Sequence, residues 1–213
     1  RGGALITTQS QLGEIIRQRQ AGLSLISRAQ LFRYLLHGPI FFLGKYLYGF
    51  FGVGKLILFS ARRLKILPAI ITAAEKSGQS PPWFPCKLAN SLASILLNQL
   101  LSLDYRNQHR QTIAALYRKK LLHQSIRHPP ADENSIYLRY TILVPDPKKI
   151  IAFAKHQKIF LDDWYNSPIA SADSKCPSAV YLTSHSLNLP THAALTEIDV
   201  ERIVAVVLRG LNS

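Results

Sequence analysis

Methionine is absent from all 213 residues, including position 1, where the residue is Arg. A chain that opens Arg1-Gly2-Gly3-Ala4-Leu5-Ile6 is expected to begin inside a longer protein. The 2 cysteines, Cys86 and Cys176, are too few for a disulfide scaffold or a cysteine-rich zinc module. The 7 histidines (His37, His109, His123, His128, His156, His185 and His192) include no pair four residues apart. A helix-borne metal site is therefore not expected. No G-x-S-x-G elbow is present, and Thr183-Ser184-His185 alone does not make a catalytic triad. The first residues do not read as a signal peptide, and no internal repeat or low-complexity tract is visible. The chain is 47% hydrophobic and 18% charged, which suits one that buries a core.

Acidic residues are the other scarcity, 12 against 26 Lys plus Arg, and none lies between Glu14 and Glu75. That interval carries nine of the net positive charges: Arg17, Arg19, Arg28, Arg33, Lys45, Lys55, Arg62, Arg63 and Lys65. It is also the most apolar. From Ile40 to Phe59 stand 14 large apolar or aromatic residues, four glycines and two lysines. A membrane-spanning helix needs ~20 mostly apolar residues, so the length is marginal. Each internal lysine costs ~2.5–3.5 kcal/mol at the bilayer centre, and four glycines weaken a helix, so a span is disfavoured. Two readings stay open. The segment either packs against its own domain or a subunit partner, or lies on an anionic membrane surface. Nucleic acid is not expected, because the bases alternate with Leu, Ile and Phe instead of lining a polar groove.

Periodicity predicts a mixed α/β chain. Gly3 to Thr8 reads as a short strand and Gln9 to Gln20 as a helix. Pro68 and Ser77 to Pro82 read as loop. Leu88, Leu92, Ile95, Leu96, Leu100 and Leu103, continued by Ile113, Ala114, Tyr117 and Leu121, predict one long helix from about Leu88 to His123. The stretch Ile136 to Val144 predicts a strand. After it, Asp146 as N-cap and Pro147 at the first helical position begin a helix to about Lys158. Ile159-Phe160-Leu161 reads as a second short strand. Thr196 to Asp199 supplies a near capping box for a terminal helix with Val200, Ile203, Val204 and Val207 inward and Gly210 as its stop.

One motif is a decoy, and a carboxylate pair that could look catalytic has a plainer reading. Gly49-Phe50-Phe51-Gly52-Val53-Gly54-Lys55-Leu56 nearly matches a phosphate-binding loop, but Leu56 stands where a hydroxyl must reach magnesium. Adjacent Asp162 and Asp163 read as a solvated strand end or turn.

Several blocks together resemble the C-terminal part of the DegT/DnrJ/StrS-type sugar aminotransferases, pyridoxal-phosphate enzymes of fold type I. Gly2-Gly3-Ala4-Leu5-Ile6-Thr7-Thr8 is similar to the strand after the family's cofactor lysine. Leu92-Ala93, Asn98 to Asp104, His109-Arg110 and Tyr117 resemble its long inter-domain helix. Leu187 to His192, then Leu195-Thr196 and Asp199-Val200, resemble its closing signature. The resemblance implies four regions: 1–30, the end of the large cofactor-binding domain; 31–86, a basic hydrophobic insertion and loop; 87–123, the long inter-domain helix; and 124–213, a small α/β domain. It also implies that the Schiff-base lysine lies upstream of the glycine pair, so the chain itself carries no catalytic residue.

By the same resemblance, pyridoxal 5'-phosphate would serve the intact protein. Pro85-Cys86-Lys87 replaces the family's Asn-aromatic-Arg stretch, leaving Lys87 either to contact the neighbouring subunit's cofactor phosphate or to be a solvated helix-start lysine. Lys keeps the charge of Arg without its planar fork. Trp164 to Ala170 resembles the substrate-facing loop, with Ala170 where many members carry His. Trp164, Tyr165 and His192 are thereby the substrate-side candidates, Trp164 and Tyr165 with core packing as the other reading. The expected partners are a keto sugar nucleotide, glutamate or glutamine as donor, and a second copy in a homodimer. The expected location is the cytoplasm or the inner face of the membrane, and the expected role is surface polysaccharide or related sugar synthesis. The alternative function is a non-catalytic, peripheral membrane-binding α/β module.

Overall fold

The computed structural model describes residues 5–68, 72, 75, 78–81, 84–132, 134–164 and 176–212. The chain divides into two units, Arg1–Asn98 and Gln99–Ser213. Each has its own internal logic.

The first unit contains α1 (Ser10–Ala21), α2 (Arg28–Tyr46), α3 (Val53–Arg63) and most of α4 (Asn90–Leu100). The predicted strand at Gly3 to Thr8 is not formed over its described part, Leu5 to Thr8. Leu5 and Ile6 are exposed and no described segment pairs with them, and a strand without a ladder has no place for its amides. Gly2 and Gly3 lie outside the described residues. Ser27 caps α2 by accepting from the Gln30 amide at 3.3 Å. The glycines expected to interrupt helix instead bring α2 and α3 together. A Cβ on Gly54 would stand 2.1 Å from the Gly44 carbonyl oxygen, and one on Gly44 would stand 2.6 Å from Leu58 Cγ. Only hydrogen fits there. The turn between these helices carries Phe51 at φ 45° and Gly52 at φ 78°, so the phosphate-loop look-alike is the apex of a helical hairpin.

The second unit holds α5 (Leu103–Lys120), β1 (Arg139–Leu143), α6 (Pro147–His156), α7 (Pro177–His185), β2 (Ser186–Pro190) and α8 (Glu197–Asn212). The periodicity from Leu88 to His123 is realised as two helices, α4 and α5, not one. At the break, both the amide and the hydroxyl of Ser102 bond the Gln99 carbonyl, at 3.3 and 3.2 Å. Serine side chains compete with the helical ladder in this way.

Strands β1 and β2 pair antiparallel, with Thr141 opposite Asn188 and Arg139 opposite Pro190. The expected strand from Ile136 is shorter at its start because Pro190 has no amide to extend the ladder. Tyr140 and Ile142 point into the core with Leu187 and Leu189. Helices α5 and α6 each pack on α8, which buries Val200, Ile203, Val204 and Val207 as its pattern predicts. Asp146 caps α6 through the Lys149 amide at 3.0 Å, and Lys158, at φ 59°, lies beyond its end at His156. Ile159 to Leu161 does not form the expected strand; the contact is a single bridge between Asp162 and Asn188. Gly210 does not stop α8, which runs to Asn212. A Cβ there would meet Ile150 Cα at 3.4 Å, so Gly210 serves close packing.

A buried aromatic cluster ties α5 to the sheet. Tyr117 and Tyr140 stack at 5.7 Å, and the Tyr117 hydroxyl donates to the Pro190 carbonyl at 3.1 Å. Burial first, and the Asp199 charge second, push the Tyr117 phenol well above its ordinary pKa. His128 uses both ring nitrogens, one with the Tyr140 hydroxyl at 2.9 Å and one with the Leu121 carbonyl at 3.0 Å. It is a structural histidine.

Candidate functional site

The outer face of the sheet in the second unit carries a polar constellation. Alternation along β1 turns Arg139 and Thr141 away from the core that receives Tyr140 and Ile142. On β2, Asn188 lies between two core leucines and is itself buried. The segment after Leu161 runs beside it, with the Asn188 amide donating to the Asp162 carbonyl at 2.8 Å.

Asp162 is the hub. Its Oδ1 accepts from Arg139 Nη1 at 3.0 Å, Asn188 Nδ2 at 2.9 Å and the Trp164 amide at 3.2 Å. Asn188 Nδ2 also donates to the Trp164 carbonyl at 2.6 Å, while Asn188 Oδ1 accepts from Thr141 Oγ1 at 2.7 Å. The Arg139 guanidinium lies 4.5 Å from the Trp164 ring centroid, within range of a cation–π contact. Trp164 stays 37% exposed. The result is an aromatic surface held by both its backbone and a charge on its ring. Such a surface can stack on a sugar or base.

The other sequence-derived candidates sit elsewhere. His192 is exposed two residues beyond β2, after Thr191, whose buried hydroxyl donates to the Tyr137 and Leu138 carbonyls at 2.7 and 2.9 Å. No described hydrogen bond joins His192 to the Trp164 constellation. Lys87, in the first unit, is half-buried, and its amide donates to the Ser24 carbonyl at 2.9 Å. It lines an open cavity of about 1460 Å³ with Arg19, Tyr34 and Glu75. No described ion pair includes Lys87. Tyr165 and Ala170 lie outside the described residues. Among the described residues no group of three His, Cys, Asp or Glu side chains could hold a metal ion.

Arg139, Thr141, Asp162 and Asn188 were not singled out as site residues from sequence. The signal was the alternation of β1, which places Arg139 and Thr141 on one face. Asp162 reads as a turn acid until β2 is laid beside it.

The two-stranded sheet shares its core with α5, α6 and α8, and the chain carries part of an aminotransferase fold. The DegT/DnrJ/EryC1/StrS aminotransferase family model matches residues 73–208, and the chain belongs to that family. Among curated proteins none matches the chain. Solved structures do. A DegT DnrJ EryC1 StrS aminotransferase from Brucella abortus is 23% identical with TM-score 0.53, the match covering 60% of this chain and 37% of that one. DesV from S. venezuelae, solved with a ketimine intermediate, is 19% identical with TM-score 0.54, covering 60% and 38%. A sugar aminotransferase from Micromonospora echinospora is 18% identical with TM-score 0.51, covering 60% and 37%. The chain thus spans 37–38% of the length of these structures.

Proposed function

We propose that this chain is the C-terminal portion of a PLP-dependent aminotransferase that delivers an amino group to a keto sugar nucleotide. The observation that carries the reading is the Arg139–Asp162–Asn188 network fixing Trp164 on the outer face of the sheet, in a chain of this family. PLP would supply the electron sink for the transfer, while the protein provides binding and orientation. Glutamate or glutamine would be the donor, and the cytoplasm, at or near the inner membrane face, the location.

Roles for this chain's residues follow from their chemistry. Trp164, with Tyr165, would stack on the sugar nucleotide, and exposed His192 would contribute a polar contact to it. Lys87 would meet the phosphate of PLP as a cationic donor, in a cavity that Arg19 and Glu75 also line. A lysine meets phosphate as a point charge, so it positions less strictly than the two-pronged arginine. In a homodimer that phosphate would belong to the neighbouring subunit's cofactor. The reading extends to surface polysaccharide or related sugar synthesis, where amino sugars are building units.

The test uses the full-length protein that carries this chain, supplied with PLP, glutamate or glutamine, and a panel of keto sugar nucleotides. The expected result is an amino sugar nucleotide detected by mass. Trp164→Ala should raise KM for the sugar about tenfold, the loss of ~1.4 kcal/mol of stacking, with a smaller change in kcat. Transfer to none of the panel by protein that binds PLP, or an unchanged KM in Trp164→Ala, would overturn the reading.

A further inference from the structure

The α2–α3 hairpin exposes a cluster of aromatic rings at its apex, with Phe32, Phe59 and Leu64 also exposed along its length. At the apex, between Phe42 and Phe51, Phe42 is 71%, Tyr46 78%, Phe50 61% and Phe51 94% exposed. Phe50 and Phe51 meet edge to face at 5.3 Å, and Phe42 and Tyr46 stack at 6.5 Å, so these rings contact one another at the surface instead of entering a core. Toward the open end stand Arg28 and Arg33 on α2, and Arg62, Arg63 and Lys65 at the end of α3, all exposed. No acid occurs anywhere on the hairpin. The two glycines that lock α2 onto α3 hold the rings and the basic residues in one body.

Dimensions decide what such a body can do. From Val53 to Arg62 the helix rises ~14 Å, whereas a hydrocarbon core is ~30 Å thick. Among the described residues no helix is long and apolar enough to cross a membrane. An amphipathic element at an interface buries its apolar face by ~5–10 Å, less than the distance from apex to Arg62. The apical lysines are compatible with that depth. Lys55 already lies with Nζ 5.2 Å from the Tyr48 ring centroid, and Lys45 is exposed beside Tyr46. Both ammonium groups can snorkel to the headgroups while their stems cover apolar surface.

We infer that the α2–α3 hairpin docks the protein on an anionic bilayer, the Phe50–Phe51 apex entering the headgroup–acyl boundary and the basic collar meeting anionic headgroups. The charge selects the occupant. A second copy of this chain would bring the same uncompensated positive charge to the same patch. An anionic surface neutralises it and takes the rings as well. This inference stands apart from the aminotransferase reading, because docking is measured without turnover.

The experiment sediments the full chain with vesicles of phosphatidylcholine alone or of phosphatidylcholine plus phosphatidylglycerol, at low and high salt. Binding is expected only to the anionic vesicles, and it should weaken as salt rises. Each basic residue removed should weaken it about fivefold, equivalent to ~1 kcal/mol, so Arg62→Gln/Arg63→Gln should lose about 25-fold. Phe50→Ser/Phe51→Ser should lose about tenfold or more, since both exposed rings enter the interface. A Phe51→Trp variant should shift its emission to the blue only with anionic vesicles. Equal binding to both vesicle types, binding to neither, or insensitivity to the Phe50→Ser/Phe51→Ser change would overturn the inference. Self-association that the same double change abolishes, without vesicle binding, would assign the hairpin to a second copy instead.

Discussion

Asn188 carries more of the second unit's outer face than any charge there. It is 5% exposed and satisfies Asp162, Thr141 and the Trp164 carbonyl at once. Asn188→Ala leaves these groups without their partner in a poorly hydrated place. The expected cost is about 1–3 kcal/mol, measured by urea unfolding. Asn188→Asp should also destabilise, because it sets a second carboxylate against Asp162. If neither change lowers the unfolding midpoint, the network is ornamental. In the core, Tyr117→Phe removes one hydrogen bond to Pro190 and should cost about 1 kcal/mol, whereas Tyr117→Ala also opens a cavity and should cost about 3–5 kcal/mol. That difference separates the hydroxyl's contribution from the ring's.

For the elements, two contacts set the shape of helices in different ways. Gly54→Ala must displace backbone, since its Cβ would fall 2.1 Å from the Gly44 oxygen and 2.6 Å from the Tyr48 nitrogen. The hairpin should open and become sensitive to limited proteolysis. Gly49→Ala is the matched control, because nothing lies within 4 Å of its Cβ; it should leave cleavage unchanged. At the start of α8, the Thr196 hydroxyl accepts from the Asp199 amide at 3.2 Å, and Asp199 Oδ2 accepts from the Thr196 amide at 2.9 Å. Thr196→Ala should cost about 1 kcal/mol. The Thr196 amide, and then its hydroxyl, hold the Asp199 carboxyl below its ordinary pKa. A depressed carboxyl binds fewer protons folded than unfolded, so its contribution is present above the unfolded value and is lost as pH falls through the folded one. The difference in unfolding midpoint between wild type and Asp199→Asn should therefore shrink in acid. A gap that stays constant into strong acid would remove Asp199 from the cap.

On the scale of the whole molecule, the buried cluster from Ile113 to Val207 draws only on the second unit. A polypeptide of residues 99–213 should therefore unfold in one cooperative transition by calorimetry. A broad, non-cooperative melt would show that this core needs the preceding residues. In the same unit, the capped helices α6 and α8 were legible in sequence because a cap and an apolar stripe are local and periodic. The strand Arg139–Leu143 was legible for the same reason. The break at Ser102 was not, because hydrophobic spacing continues through it and only the competition for the Gln99 carbonyl interrupts the ladder. Gly210 was read as a stop, since a glycine near a helix end usually is one; its packing on Ile150 depends on a helix distant in the chain.

Sequence alone determined the mixed α/β character, the membership-bearing blocks along the second half, and the concentration of uncompensated charge in residues 15–74. Each is a property of residue types and their spacing. Tertiary structure decided which of those residues meet. It placed Asp162 beside Asn188 across 26 positions, set Arg139 on the ring of Trp164, and made the glycines of the basic segment a contact between helices instead of a break. Those outcomes depend on register and on backbone approach to within a few ångströms, and a one-residue slip of β1 against β2 would turn Arg139 and Thr141 inward.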